Sequence, residues 1–264
     1  MIIVIITILF TILLSSNGND FSTTQFTIEG RLNQIEYATK TTIKGSSIIA
    51  THNNDISILL LYKGDMKSNR LIKEQSYTDV SIKKLSNNIG CGSTGISSDI
   101  NYLINKLFEA VINHETVFDS SVPVIRITNN LASYIHSRTM TSKYRPFGIR
   151  LCIIGYDKSL GSLVLDIDAL GNKHQNKLCC LGPRAQKLNN IWGKVDPIML
   201  STSELMEKLV NTLETCLIDE KIKLNSNDIS IALVGKDKPF TILTRDEVIE
   251  ILENKKFSSL FNNV

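Results

Sequence analysis

Apolar and polar positions alternate along this chain with two periods, and each switch between them marks an element. Between Phe26 and Gly45, in FTIEGRLNQIEYATKTTIKG, the residues Ile28, Leu32, Ile35 and Ile43 fall near helical spacing, which predicts a helix over about 28–44 with one apolar stripe. Thr27 is placed to cap it, and Glu29 stands in its first turn, where the positive end of the helix dipole favours an anion. Lys40 and Lys44 occupy its last turn and Gly45 stops it. Arg31, Gln34, Glu36 and Tyr37 lie off the stripe and are able to make directional contacts. A helix known only by its stripe is more often an ordinary amphipathic surface helix.

Period two takes over at once. Residues 46–51 and Ile56 to Tyr62 read as strands joined through His52, Asn53, Asn54 and Asp55, a turn-rich hairpin connection. The second of them, ISILLLY, is apolar on both faces, as a strand buried between a second sheet and a helix layer must be. Lys63 to Thr78 is polar and turn-like, and Val80, Ile82 and Leu85 lead to a short strand over Asn88 to Cys91. Ser98 is placed to cap a long helix whose buried stripe is Ile100, Leu103, Leu107 and Val111, and a second helix covers much of Ile125 to Ser137. Ile149 to Tyr156 and Ser162 to Asp168 form a hairpin through Asp157 to Gly161, and Lys177 to Leu181 adds a strand. Gly182 precedes a helix through Trp192, and another, capped by Ser203, carries Leu205, Leu209, Leu213 and Leu217 on one face. ISIALVGKDKPFTIL is a strand pair, and Asp246 to Leu252 a closing helix. This order fits two stacked sheets with helices on both outer faces, and no linker or internal repeat divides it.

Composition narrows the classes. At 264 residues with 42% apolar content the chain can bury one full core, and a net charge of +3, spread evenly, does not suit nucleic acid or a membrane surface as the main partner. Five cysteines without metal-type spacing read as reduced thiols of a cytosolic or nuclear protein, the adjacent Cys179 and Cys180 being strand residues. His52, His114, His136 and His174 are scattered, no phosphate-binding glycine loop or nucleophile elbow is present, and no metal or cofactor is implied. Ile2 to Leu14 is apolar but shorter than the about 20 residues a spanning helix needs, and it lacks a positive leader. It reads as a signal-peptide core, a short anchor or a mistaken start of the coding sequence.

The string F-T-I-E-G-R-L-N-Q-I-E-Y-A, followed by K-G-S, closely resembles the N-terminal signature of proteasome alpha subunits, the outer-ring chains of the 20S core particle. Gly95 and Asp99 in STGISSD, RPFG at 145–148 and Asp168 to Gly171 resemble further motifs of that family, and FDSSVPVIR and VGKD followed by FTI resemble its alpha type-1 chain, usually sixth in the ring. The resemblance covers nearly everything from Asp20 to Leu252. It implies a four-layer alpha-beta-beta-alpha sandwich of the N-terminal nucleophile hydrolase type, over a single domain at 20–255 between an apolar segment at 1–19 and a tail at 256–264. It implies contacts with neighbouring alpha subunits, the beta ring, and regulatory or activator particles. Gly30, Arg31, Gln34, Glu36 and Tyr37 would meet ring neighbours.

In the family a Tyr-Asp-Arg tail helps to hold the gate. Asp20 matches its aspartate, while Asn19 and Phe21 stand where the tyrosine and arginine belong, and that departure fits a mistaken start better than secretion. The position of the pocket lysine that receives activator C-termini falls on Ser81, with Lys83 and Lys84 just downstream, where an edge bulge would restore a lysine.

Catalytic relatives free a terminal threonine whose own amine acts as base. That nucleophile position falls on Ser46, which has a peptide-bonded nitrogen, and the supporting carboxylate position falls on Tyr62. Thr41 and Thr42 lie within the helix. A non-catalytic scaffold is therefore expected, against the alternative of a hydrolase processed before Ser46.

Overall fold

A computed structural model of the chain describes residues 24–64 and 81–254. Asp20, the run Ile2 to Leu14, most of the polar stretch 63–78 and the tail 256–264 lie outside the described residues. The elements are α1 (Asn33–Thr42), β1 (Ser47–His52), β2 (Ile56–Tyr62), β3 (Ile82–Lys84), β4 (Ile89–Gly95), α2 (Ser97–Phe118), α3 (Val124–Thr139), β5 (Ile149–Asp157), β6 (Gly161–Ile167), β7 (Lys173–Gln175) and β8 (Leu178–Leu181). After them come α4 (Ala185–Trp192), α5 (Thr202–Asp219), β9 (Ile229–Gly235), β10 (Thr241–Ile242) and α6 (Arg245–Asn254).

The strands form two five-stranded sheets, ordered β10-β9-β2-β1-β8 and β3-β4-β5-β6-β7. Neighbours are antiparallel throughout, with Ser47 opposite Tyr62 in the first hairpin and Asp157 opposite Gly161 in that of the second sheet. Side chains on successive strand residues point to opposite faces, which explains why β2 is apolar at nearly every position. Ile58, Leu60 and Tyr62 pack with Leu205, Leu209, Leu213 and Leu217 of α5, whereas Leu59 and Leu61 meet Cys152, Ile154 and Val164 of the facing sheet. On the other side Leu151 and Ile153 of β5 pack under α2 and α3 with Leu103, Leu107, Ile127 and Ile135. The result is the expected four-layer alpha-beta-beta-alpha sandwich. All five cysteines are free thiols, and Cys179 and Cys180 are indeed strand residues.

Three capping expectations are corrected. The first helix is ten residues long, Asn33–Thr42, and does not reach back to residue 28. Gly30 has φ +74°, and Thr27 and Arg31 close a separate turn: Thr27 N–H donates to Arg31 O at 2.9 Å, and Arg31 N–H to Thr27 Oγ1 at 3.1 Å. A left-handed residue cannot continue a right-handed helix, so Thr27 caps the turn. Ile28 and Ile43 are consequently exposed, and the buried face of α1 is Ile35, Ala38 and Thr42. At the start of α2 the cap position is Ile96, with no side-chain cap, and Ser98 lies inside the first turn. Ile96 N–H is already bound to Gly148 O at 2.9 Å, so the chain passes directly from ladder to helix. Ahead of α5 it is Ser201 that caps, in a reciprocal capping box with Glu204; Ser203 lies two residues later, inside the first turn.

Candidate functional site

Three of the strings singled out in the sequence meet at one corner of the sandwich. There β4 ends, α2 begins, and β5 enters the second sheet. Gly95 has φ +124° and so close an approach to Gly148 that a Cβ would fall on the Gly148 carbonyl oxygen. Asp99 then locks the corner. Its two carboxylate oxygens each accept from Arg145, at 2.7 Å and 2.7 Å, and Oδ2 also accepts the Gly148 N–H at 3.0 Å. Such a bidentate pair fixes orientation as well as energy.

The first helix rests on this corner. A Cβ on Gly148 would meet Thr41 Oγ1 and Ile96, and one on Gly45 would fall on Thr94 Oγ1. Gly45 is thus required for close approach to β4 and not as the helix stop. Thr94 Oγ1 also donates to Thr42 O at 3.1 Å. Thr41 and Thr42 spend their hydroxyls inside the helix, on Ala38 O at 2.6 Å and Thr39 O at 2.8 Å.

The outer side of α1 faces away from the sandwich. Arg31 Nε stands 3.9 Å from a Glu29 carboxylate oxygen and 3.7 Å from one of Glu36, in an exposed arrangement worth about 0–1 kcal/mol. Tyr37 is exposed, with Lys40 Nζ 5.7 Å from its ring centre, and Gln34 is half-buried beside it. Phe26, Ile28 and Ile43 add exposed apolar surface on and around the same element. The structure therefore brings Gln34, Glu36 and Tyr37 onto one helix, with Gly30 and Arg31 in the turn before it.

Ser46, the residue expected at the nucleophile position, is buried at 2% exposure, in peptide linkage between Gly45 and the first strand. A Cβ on Gly182 would fall on its carbonyl oxygen, so the strand edge is closed over it as well. Tyr62 does come near, opposite Ser47 in the ladder. Burial pushes its phenol up, opposed by Arg184, whose guanidinium carbon lies 5.4 Å from the ring centre. A general base needs a pKa near the working pH, and a phenol driven upward does not supply one. A cleft of about 760 Å³ opens at the opposite ends of the strands, beside Asn88, Ser121, Tyr156 and Lys236. Neither Ser46 nor Tyr62 lines it.

Ser81 precedes β3, the edge strand of the second sheet, and its carbonyl accepts the Ser93 N–H at 2.8 Å. Lys83 and Lys84 are on that strand, half-buried and exposed, opposite Cys91 and Gly90 in an unbroken three-residue ladder. Asp20 lies outside the described residues.

The Asp99–Arg145 bond was not foreseen, although both of its motifs were in view. Nor was the pair Arg150–Asp166, 2.5 Å and 3.1 Å, with Asp166 buried. An acid and a base at the ends of two separate strings are a complementarity that spacing alone does not reveal. A third cluster, Tyr102, Tyr134, Arg138, Tyr144 and Phe147, was missed because its members come from two helices and a loop.

Comparison with known proteins gives a family model described as "Proteasome subunit", matching residues 42–234. Proteasome subunit alpha type-6 of Saccharomyces cerevisiae is 29% identical over 243 residues, 89% of this chain and 99% of the relative. Proteasome subunit alpha type-1 of Drosophila melanogaster is 27% identical over 235 residues, 88% of this chain and 82% of the relative. Proteasome subunit alpha type-3 of the same fly is 25% identical over 222 residues, 83% and 84% of the two chains.

Proposed function

This chain belongs to the proteasome subunit family, with alpha-type relatives, and from that premise we propose that it is a non-catalytic structural subunit of the 20S alpha ring. In this reading it contributes to ring assembly, to gating of substrate access and to activator docking in ubiquitin-dependent protein degradation. The observation that carries it is α1, seated on the Gly95–Gly148 corner ahead of β1, with Ser46 buried in peptide linkage behind it. A hydrolase would need that stretch removed and a new amine exposed at Ser46.

The face carrying Arg31, Gln34, Glu36 and Tyr37, with Gly30 in the turn, meets alpha-ring neighbours, and other surfaces meet the beta ring and regulatory or activator particles. Ser81, Lys83 and Lys84 mark the edge where an activator carboxylate docks, and Asp20 belongs to the gate. The type-1 position is favoured by FDSSVPVIR and by VGKD with FTI, and a cytoplasmic and nuclear location by free thiols. No helix among the described residues is long and apolar enough to cross a membrane. The domain spans 20–255.

The test is co-purification. A tagged full-length chain is expected to sediment with intact 20S particles and to be retained through high salt. A stable monomer absent from those particles would contradict the proposal.

A further inference from the structure

We propose that the aromatic and cationic patch centred on Arg138, at the C-terminal end of α3, is a docking site for an acidic segment of a partner polypeptide. The starting point is a difference between three arginines. Arg145 and Arg150 each place two donors on a carboxylate of this chain, Asp99 and Asp166. Arg138 instead donates from Nη2 to the Tyr134 hydroxyl at 2.9 Å, and no carboxylate among the described residues is paired with it.

Its guanidinium is nevertheless held in place. The central carbon lies 4.1 Å from the Tyr144 ring centre, 5.3 Å from that of Phe147 and 5.5 Å from that of Tyr134. Tyr134 is fixed in turn by a 2.7 Å bond between its hydroxyl and that of Tyr102. Aromatic rings hold the guanidinium by cation–π contact and leave its remaining N–H groups to donate, in the forked geometry that matches a carboxylate. Orienting the fork before binding reduces the entropy lost when a ligand arrives.

The surroundings select the ligand. Lys143 Nζ is 5.5 Å from the Tyr144 ring, adding a second cation, and Tyr102, Tyr144 and Met140 are exposed around the fork. Lys106, nearby on α2, is already neutralised by Glu109 at 2.7 Å. Two available cations within an apolar rim suit a glutamate or aspartate flanked by apolar side chains. A nucleic acid calls for a longer basic track.

The test is fluorescence anisotropy on the full chain, with a labelled octapeptide of alternating glutamate and leucine as probe. Saturable binding that weakens with salt is expected, and Arg138→Gln should lower affinity by about tenfold, the loss of one charge-assisted fork. Tyr144→Leu, which removes the ring under the fork while keeping the charge, should weaken binding less, and Arg138→Lys should give an intermediate value. Equal affinity of the Arg138→Gln and parent chains would overturn the proposal. So would equal binding of a lysine–leucine octapeptide, or binding only to anionic lipid vesicles. Should Arg138→Gln fail to melt like the parent, Lys143→Gln combined with Tyr144→Leu decides by the same criterion.

Discussion

Two helices of this molecule are attached to the sandwich in opposite ways. α5 lays Leu205, Leu209, Leu213 and Leu217, all fully buried, onto the outer face of the first sheet, and its N-terminus is closed by the Ser201–Glu204 capping box. α1 has no side-chain cap, buries Ile35, Ala38 and Thr42, and rests on glycines that let backbones approach. A helix that fills a core is held by apolar area, about 25 cal/mol for each Å² buried. One seated on a glycine corner is held by shape, and its other side stays available.

The largest effect should come from the first kind of attachment. Leu209→Ala removes a fully buried side chain between α5 and β2 and should cost about 2–5 kcal/mol in chemical denaturation. A loss under ~1 kcal/mol would mean that α5 is not the core helix described.

Next is the lock beneath α1. Asp99→Asn leaves the Arg145 fork without its charge and weakens the bond from Gly148 N–H, a loss of about 2 kcal/mol. Because α1 rests on Gly148, amide exchange over Asn33–Thr42 should accelerate more than over α5; equal acceleration would sever the proposed link between corner and helix.

Removing the cap of α5 should do less. Ser201→Ala is expected to cost about 1 kcal/mol, read as a lower melting temperature, whereas Ser203→Ala should fall within about 0.5 kcal/mol of the parent. The reverse order would contradict the observed cap.

The smallest effect is a pH dependence. Burial lowers the pKa of His52 below its ordinary 6.5, with Lys177 acting in the same direction and the Asn53 carbonyl and Asp196 against it. Between the folded and unfolded values the unfolded chain binds more protons, so stability rises with pH there and the contribution is complete above about 6.5. His52→Gln should flatten the stability profile just below that pH, and an unchanged slope would remove His52 as its source.

The same contrast explains how much the sequence revealed. The four leucines of α5 were legible because a core helix must repeat its apolar residues at its own period, and β2 because burial on both faces leaves almost no polar residue. The bounds of α1 were misread because Ile28 and Ile43 continue the period numerically, while Gly30, at positive φ, breaks it sterically. An apolar residue exposed on the surface looks the same in the sequence as one that fills a core. Of the candidate site, the peptide-bonded nitrogen of Ser46 was legible from the string alone, since peptide linkage is a covalent fact. The bond between Asp99 and Arg145 was not, because it closes 46 residues of chain, a distance over which neither periodicity nor local propensity acts.

The central claim is that α1 remains in front of β1 in the working protein, so that Ser46 is never a chain terminus. Intact-mass and peptide mass spectrometry of this chain, taken from purified 20S particles, tests it most directly. The account predicts a continuous peptide spanning Phe26 to Ser47 in the assembled subunit. A mature chain beginning at Ser46, or particles that lack the chain altogether, would contradict it.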